Sequence, residues 1–130
     1  MTAGGPTPAG PLAQNGRMGN SRTFELRTYY THPGKLADLQ TRFRDHTRAL
    51  FEKHGIENIG YFVPTDGEAA ESTLVYVLGY PSREAATESW EAFQADPEWI
   101  AVKARSEENG PIVEHLESVF LSPTDFSALR

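Results

Sequence analysis

The chain has 130 residues, with 38% hydrophobic and 23% charged, a formal charge of −6 and no cysteine. That length suits one domain with a modest core, and the missing thiols remove disulfides, thiolate metal sites and a cysteine nucleophile. An acidic chain without a Lys/Arg cluster argues against nucleic acid and anionic membrane surfaces, and no segment approaches the roughly 20 apolar residues of a membrane span. A soluble, cytoplasmic protein is the resulting expectation.

Residues 1–22 are rich in Gly, Pro, Ala and Thr, with Leu12 and Met18 the large apolar side chains among Met1 to Asn20. Such a stretch buries too little surface to offset its ordering entropy, so a solvated tail is expected, with a partner-binding arm as the alternative. Order is expected over 23–121. Thr23 to Tyr30 reads as a first strand, with Phe24, Leu26, Thr28 and Tyr30 on one face and Glu25, Arg27 and Tyr29 on the other. His32-Pro33-Gly34 breaks it.

From Lys35 to His54 the period turns helical. Leu36, Leu39, Phe43, His46 and Leu50 fall on one stripe, and Gly55 supplies the left-handed stop. Ile56 to Val63 reads as a second strand and Ser72 to Tyr80 as a third. The third is apolar on both faces, so both should be covered. Ser82 caps a second helix whose inner stripe is Ala86, Trp90 and Phe93, and Asp96-Pro97 interrupts it. A short helix from Pro97 to Ala104 points Trp99 and Val102 inward, and Ile112 to Leu121 is the last strand. Residues 122–130 trail off, with Phe126 and Leu129 available to dock on a surface.

The order βαββαβ predicts an α+β, ferredoxin-like domain with both crossovers on one face of the sheet. The other face is then bare, and a second copy of the same sheet is the simplest cover, which predicts a homodimer.

With these elements in order, the chain resembles the NIPSNAP family of the dimeric α+β barrel superfamily. The resemblance is carried by Glu25-Leu26-Arg27-Thr28-Tyr29, Pro33-Gly34-Lys35-Leu36, Glu52-Lys53-His54-Gly55, Asp96-Pro97-Glu98-Trp99, and Glu117-Ser118 with Pro123 to Ser127. It implies two ferredoxin-like subunits whose sheets meet to form a barrel. Related branches of the superfamily include cofactor-free monooxygenases, haem-degrading enzymes, isomerases and plain binding proteins, so fold does not fix function.

Among residues that can carry chemistry, His46 stands out as a polar side chain in an apolar stripe. There it would be either a satisfied core histidine or an acid/base in a pocket. Tyr30, Tyr61, Tyr76 and Tyr80 are expected to share the helix-side space as core or as ligand contacts, and Trp90 and Trp99 carry the same two readings. Glu25, Arg27 and Tyr29, with Glu117, are expected to face the dimer cavity. They would fix its register there, or act as catalytic groups, a carboxylate with Arg27 clamping a substrate and Tyr29 beside it.

His46 and His54 are eight residues apart on one helix, roughly 12 Å along its axis, too far to share a metal. No glycine-rich phosphate loop follows a strand. No cofactor or metal is therefore expected. Two functions remain: a cofactor-independent enzyme of monooxygenase, isomerase or cyclase type acting on an aromatic or polyketide-like metabolite with His46 as acid/base, or a non-catalytic ligand-binding or protein-assembly module.

Overall fold

In the computed structural model, which describes residues 22–130, four strands form one antiparallel sheet in the order β2-β3-β1-β4. The strands are β1 (Thr23–Thr31), β2 (Glu57–Phe62), β3 (Thr73–Tyr80) and β4 (Val113–Leu121). Residues 1–21 of the expected tail lie outside the described residues. Element order and topology are those of the expected ferredoxin-like α+β domain. Helices follow β1 and β3 as crossovers, and their apolar side chains pack on a single face of the sheet, where Phe43, Phe51 and Trp90 meet Tyr76 and Tyr80.

The first crossover is not one regular helix. It runs as α1 (Leu36–Arg42), a π-helical turn (Phe43–Thr47) and α2 (Arg48–Lys53). In the turn the Arg48 N–H reaches back five residues to the Phe43 carbonyl, and the Thr47 hydroxyl donates to the Arg42 carbonyl at 3.3 Å. The wider turn advances the chain through less rotation per residue, so the buried stripe slips from its 3.6-residue spacing. Leu39, Arg42, Phe43, Thr47, Leu50 and Phe51 are buried, Arg42 against Trp99, Ser106 and Glu107 of the last helix and its end. His46, expected on that stripe, is exposed instead.

The helix then ends as its sequence indicates. Gly55 takes φ +80°, its N–H bonds to the Glu52 carbonyl at 3.1 Å, and the Ile56 N–H bonds to the Phe51 carbonyl at 2.9 Å. This pair of bonds satisfies the last carbonyls and turns the chain into β2.

α3 (Arg83–Ala95) starts at Ser82, whose hydroxyl accepts from the Ala85 N–H at 3.0 Å. Asp96 ends it and begins α4 (Pro97–Ser106), accepting from the Glu98 N–H at 2.8 Å with Pro97 in the first helical turn, where its missing N–H costs nothing. The residue read as an interruption is thus a cap. It is also a tie: its carboxylate meets Lys53 Nζ at 2.8 Å and His54 Nε2 at 2.7 Å, joining the end of α2 to the α3–α4 corner.

The core lies between the helices and one face of the sheet, with Tyr76, Leu78, Phe51 and Phe93 nearly free of solvent. Burying a side chain of this size contributes about 1.5–3 kcal/mol.

The register settles which residues face it. Arg27 lies opposite Tyr76 on β3 and Ser118 on β4, Tyr29 opposite Leu74 and Leu116, and Glu25 opposite Leu78 and Phe120. Residues directly opposite share a face. Glu25, Arg27 and Tyr29 therefore point toward the helices, the reverse of the expected parity, while Leu26, Thr28 and Tyr30 point to the open face. That open face carries Leu26, Val75, Val77, Val119, Leu121 and Phe62, the last three exposed. Phe126 is 85% exposed and does not dock on its own subunit.

Candidate functional site

The parity of β1 puts an ion pair where an apolar strand would have none. Glu25 is 2% exposed. Its Oε2 accepts from Arg27 Nη1 at 2.7 Å and from the Ser118 hydroxyl of β4, and its Oε1 accepts from the Tyr80 hydroxyl at 2.5 Å. Burial pushes the carboxyl up. The hydrogen bonds from Ser118 and Tyr80 and the Arg27 charge outweigh it and hold the group below its ordinary value. It is an ionised, fully occupied carboxylate.

Arg27 is occupied at every nitrogen. Besides Glu25, its Nε donates to the Tyr76 hydroxyl at 2.8 Å and its Nη2 to the Tyr29 hydroxyl at 3.0 Å. Its guanidinium carbon also lies 4.3 Å from the Trp90 ring centroid. Burial works against the cation, but the surrounding tyrosine oxygens and Glu25 more than offset it and raise its pKa. Burial pushes the Tyr76 and Tyr61 hydroxyls up as well, and burial with the bond to Glu25 does the same for Tyr80, so all three stay neutral.

This network forms one wall of a cavity of about 590 Å³ between the helices and the β1–β4 side of the sheet. Arg27 and Tyr29 come from β1, Arg42, Phe43, Thr47 and Phe51 from the first crossover, Trp90, Phe93 and Gln94 from α3, and Trp99, Lys103 and Glu107 from α4 and its end. Glu114, His115 and Leu116 close the side along β4. Both tryptophans of the chain line it. A smaller cavity of about 320 Å³ lies on the other side of Arg27, Trp90 and Gln94 and reaches Glu25, Arg83 and Phe120. The Arg27–Trp90 stack is the partition between the two.

Of the residues singled out in the sequence, Arg27, Tyr29, Trp90 and Trp99 meet at the large cavity. Tyr76 stands behind its wall, bonded to Arg27, and Tyr61 stacks on Tyr76 at 5.1 Å beside a separate groove with Arg44 and Arg48. Besides the reversed parity of Glu25, Arg27 and Tyr29, two more placements are corrected. His46 lines none of these spaces, because the π-turn rotates it to the surface. Tyr30 lies on the open face, stacked over His115 at 5.5 Å with its hydroxyl 3.3 Å from Glu117, since it is one residue out of phase with Tyr29.

Arg42, Thr47 and Ser118 were not foreseen. Thr47 enters only through the π-turn, whereas Arg42 follows Leu39 at the regular three-residue step of α1 and Ser118 lies opposite Arg27 in the register, so helical period and the pairing of β4 with β1 would have found them. Among the described residues no group of three or more His, Asp or Glu could hold a metal ion, and no helix is long and apolar enough to cross a membrane.

The family model described as NIPSNAP matches residues 24–128. Among solved structures, the chain is similar to a NIPSNAP family protein, Atu5224, of Agrobacterium tumefaciens, at 28% identity and a TM-score of 0.73, over 84% of this chain and 99% of that one. It is similar in fold to a monooxygenase from the gene ActVA-Orf6 of Streptomyces coelicolor in complex with nanaomycin D, at 17% identity and a TM-score of 0.56, over 80% and 88% of the two chains. The fold likeness extends to SnoaB, a cofactor-independent oxygenase of Streptomyces nogalater, at 11% identity and a TM-score of 0.54, over 82% and 96%. No curated protein matches the chain.

Proposed function

The chain belongs to the NIPSNAP family, and on that footing we propose that it is a homodimer that binds a flat aromatic or polyketide-like metabolite in the helix–sheet cavity of each subunit. The observation that carries this reading is the cavity of about 590 Å³ walled by Trp90, Trp99, Phe51 and Phe93, with Tyr29 and Arg27 at its sheet side. Small-molecule sites have this size and this make-up, apolar walls with a few convergent polar groups.

The Tyr29 hydroxyl accepts from Arg27, which polarises it and leaves its own proton free for an oxygen of the ligand. A donor backed by a buried cation stabilises negative charge as it develops on a carbonyl or phenolic oxygen. That chemistry suits a cofactor-independent enzyme of monooxygenase, isomerase or cyclase type, acting on a substrate acidic enough to ionise with little help. The likeness in fold to two oxygenases agrees with it by analogy. The role of acid/base passes away from His46, which faces solvent; on β4 Glu114 lines the cavity, whereas the His115 ring lies on the open face against Tyr30.

A second reading, a ligand-binding module without catalysis, is favoured by the full occupancy of Arg27 and Glu25. Both readings keep the dimer, for which the uncovered Leu26, Val75, Val77 and Val119 argue. A cysteine-free chain fits the reducing cytoplasm, where we place it.

Because both tryptophans line the cavity, their fluorescence reports on it without labelling. Titration with a hydroxynaphthoquinone should quench it saturably, and an oxygen electrode with a three-ring hydroxyarene should record uptake if the protein is an oxygenase. Binding without turnover across phenols and 1,3-dicarbonyls selects the second reading. No saturable quenching by any aromatic ligand sinks both.

A further inference from the structure

We propose that the α1–α4 end of the cavity is a subsite for a carboxylate, so that the ligand is an aromatic acid held by Arg42. This rests on the reading of the cavity as an aromatic site. Arg42 is 5% exposed and lines the cavity, three residues beyond the buried Leu39 on the same face of α1. Its bonds are weak for a buried guanidinium. Nη1 donates to the Ser106 hydroxyl at 3.1 Å and to Glu107 Oε2 at 3.4 Å, whereas charge-assisted pairs commonly close to about 2.7–2.9 Å. Its Nε is buried and has no hydrogen-bond partner among the described residues.

An unpaired buried N–H on a cation is costly, in contrast to Arg27, whose three nitrogens are all bonded. The unmet donor is one of an adjacent pair on a planar fork, the geometry that receives a carboxylate through two parallel bonds. Glu107, 25% exposed and held only through Nη1 at 3.4 Å, leaves the unmet Nε free and is the loosely held carboxylate that competes with a ligand for the guanidinium. The guanidinium carbon lies 5.3 Å from the Trp99 ring centroid, so an acid on an aromatic ring can place its ring along Trp99 while its carboxylate reaches Arg42. A dianionic phosphate fits less well, because Glu107 and Glu114 also line this cavity and repel a second negative charge.

The test is calorimetric titration at pH 7 of the full chain with 2-naphthoate and with the nearly isosteric, neutral 2-naphthamide. The acid is expected to bind tighter by roughly tenfold to a hundredfold, the worth of a charge-assisted bond. R42M should abolish that preference while keeping the amide's affinity, and E107Q, which removes the competing carboxylate, should strengthen binding of the acid. Should R42M fail to fold, the wild-type ratio and E107Q still decide. Equal affinity for acid and amide means water satisfies Nε, and overturns the subsite while the aromatic site stands. An acid preference that survives R42M overturns it in favour of another cation such as Lys103. Heat from neither ligand, with no tryptophan quenching by any aromatic ligand, removes the site itself.

Discussion

Arg27 and Trp90 are stacked, guanidinium over indole, at 4.3 Å, and the contact closes a circuit. The indole N–H donates to the Tyr80 hydroxyl at 2.6 Å, Tyr80 donates to Glu25 at 2.5 Å, and Glu25 returns to Arg27 at 2.7 Å. Four residues from β1, β3 and α3 thus fix one another, and they fix α3 on the sheet at the cavity wall.

Breaking that circuit at its cation should be severe. Arg27→Met leaves Glu25 buried without its counter-charge, which costs about 3–5 kcal/mol. Urea unfolding followed by far-ultraviolet circular dichroism reads it. Tyr29→Phe, which removes one acceptor and leaves the ion pair, should cost about 1 kcal/mol. Equal losses in the two variants would show that the ion pair has no special weight.

Acid should weaken the fold through Glu25. Its carboxyl lies below the 4.5 of a free glutamate, so the unfolded chain binds the proton first. The stabilisation is complete above that value and is lost as pH falls through the lower, folded one. Asp96 adds a loss of the same sign, since hydrogen bonds from Lys53, His54 and the Glu98 backbone hold it well below the usual carboxylate range. Urea midpoints measured from pH 7 to pH 3 should fall below about pH 4.5. Glu25→Gln should be less stable than wild type at pH 7 and approach it at the acid end. A constant gap across the range would contradict this.

His46 and Thr47 should behave as opposites to a reading of the sequence as a regular helix. His46→Ala is expected within about 0.5 kcal/mol of wild type, with unchanged ligand affinity, as for an ordinary surface position. Thr47→Val removes a buried hydroxyl bonded to the Arg42 carbonyl, costs about 1 kcal/mol and disturbs Arg42. Paired unfolding curves and quinone titrations check both. A large effect at His46 with none at Thr47 would restore the regular stripe.

The open sheet face should be an interface. Val77→Asp places a charge in the middle of its apolar patch, and sedimentation at micromolar concentration should show a dimer for the wild type and a monomer for the variant. A monomeric wild type ends the dimer proposal.

Much of this fold was legible. Breaks at His32-Pro33-Gly34, Gly55, Pro81-Ser82 and Asn109-Gly110-Pro111 mark the ends of elements, and the change of period between them separates strands from helices. The parity of β1 was not. A Glu-x-Arg pair reads as a solvent or interface face, and nothing local says that Ser118, Tyr76 and Tyr80 will satisfy it from β4 and β3. Polar groups enter a core when distant partners complete them, and such partners become visible only through strand register. His46 failed for a different reason. The 3.6-residue period assumes a regular helix, and no residue type announces a π-turn.

That turn has a consequence for how related chains are compared. It offsets side-chain phase without altering the helix ends, so residues before Phe43 and after Thr47 belong to two registers of the same rod. A relative shorter by one residue between them would present a different set of side chains to the cavity from an almost identical sequence. Ligand preference in such proteins can therefore diverge through the count of residues in one turn, with every apolar position kept.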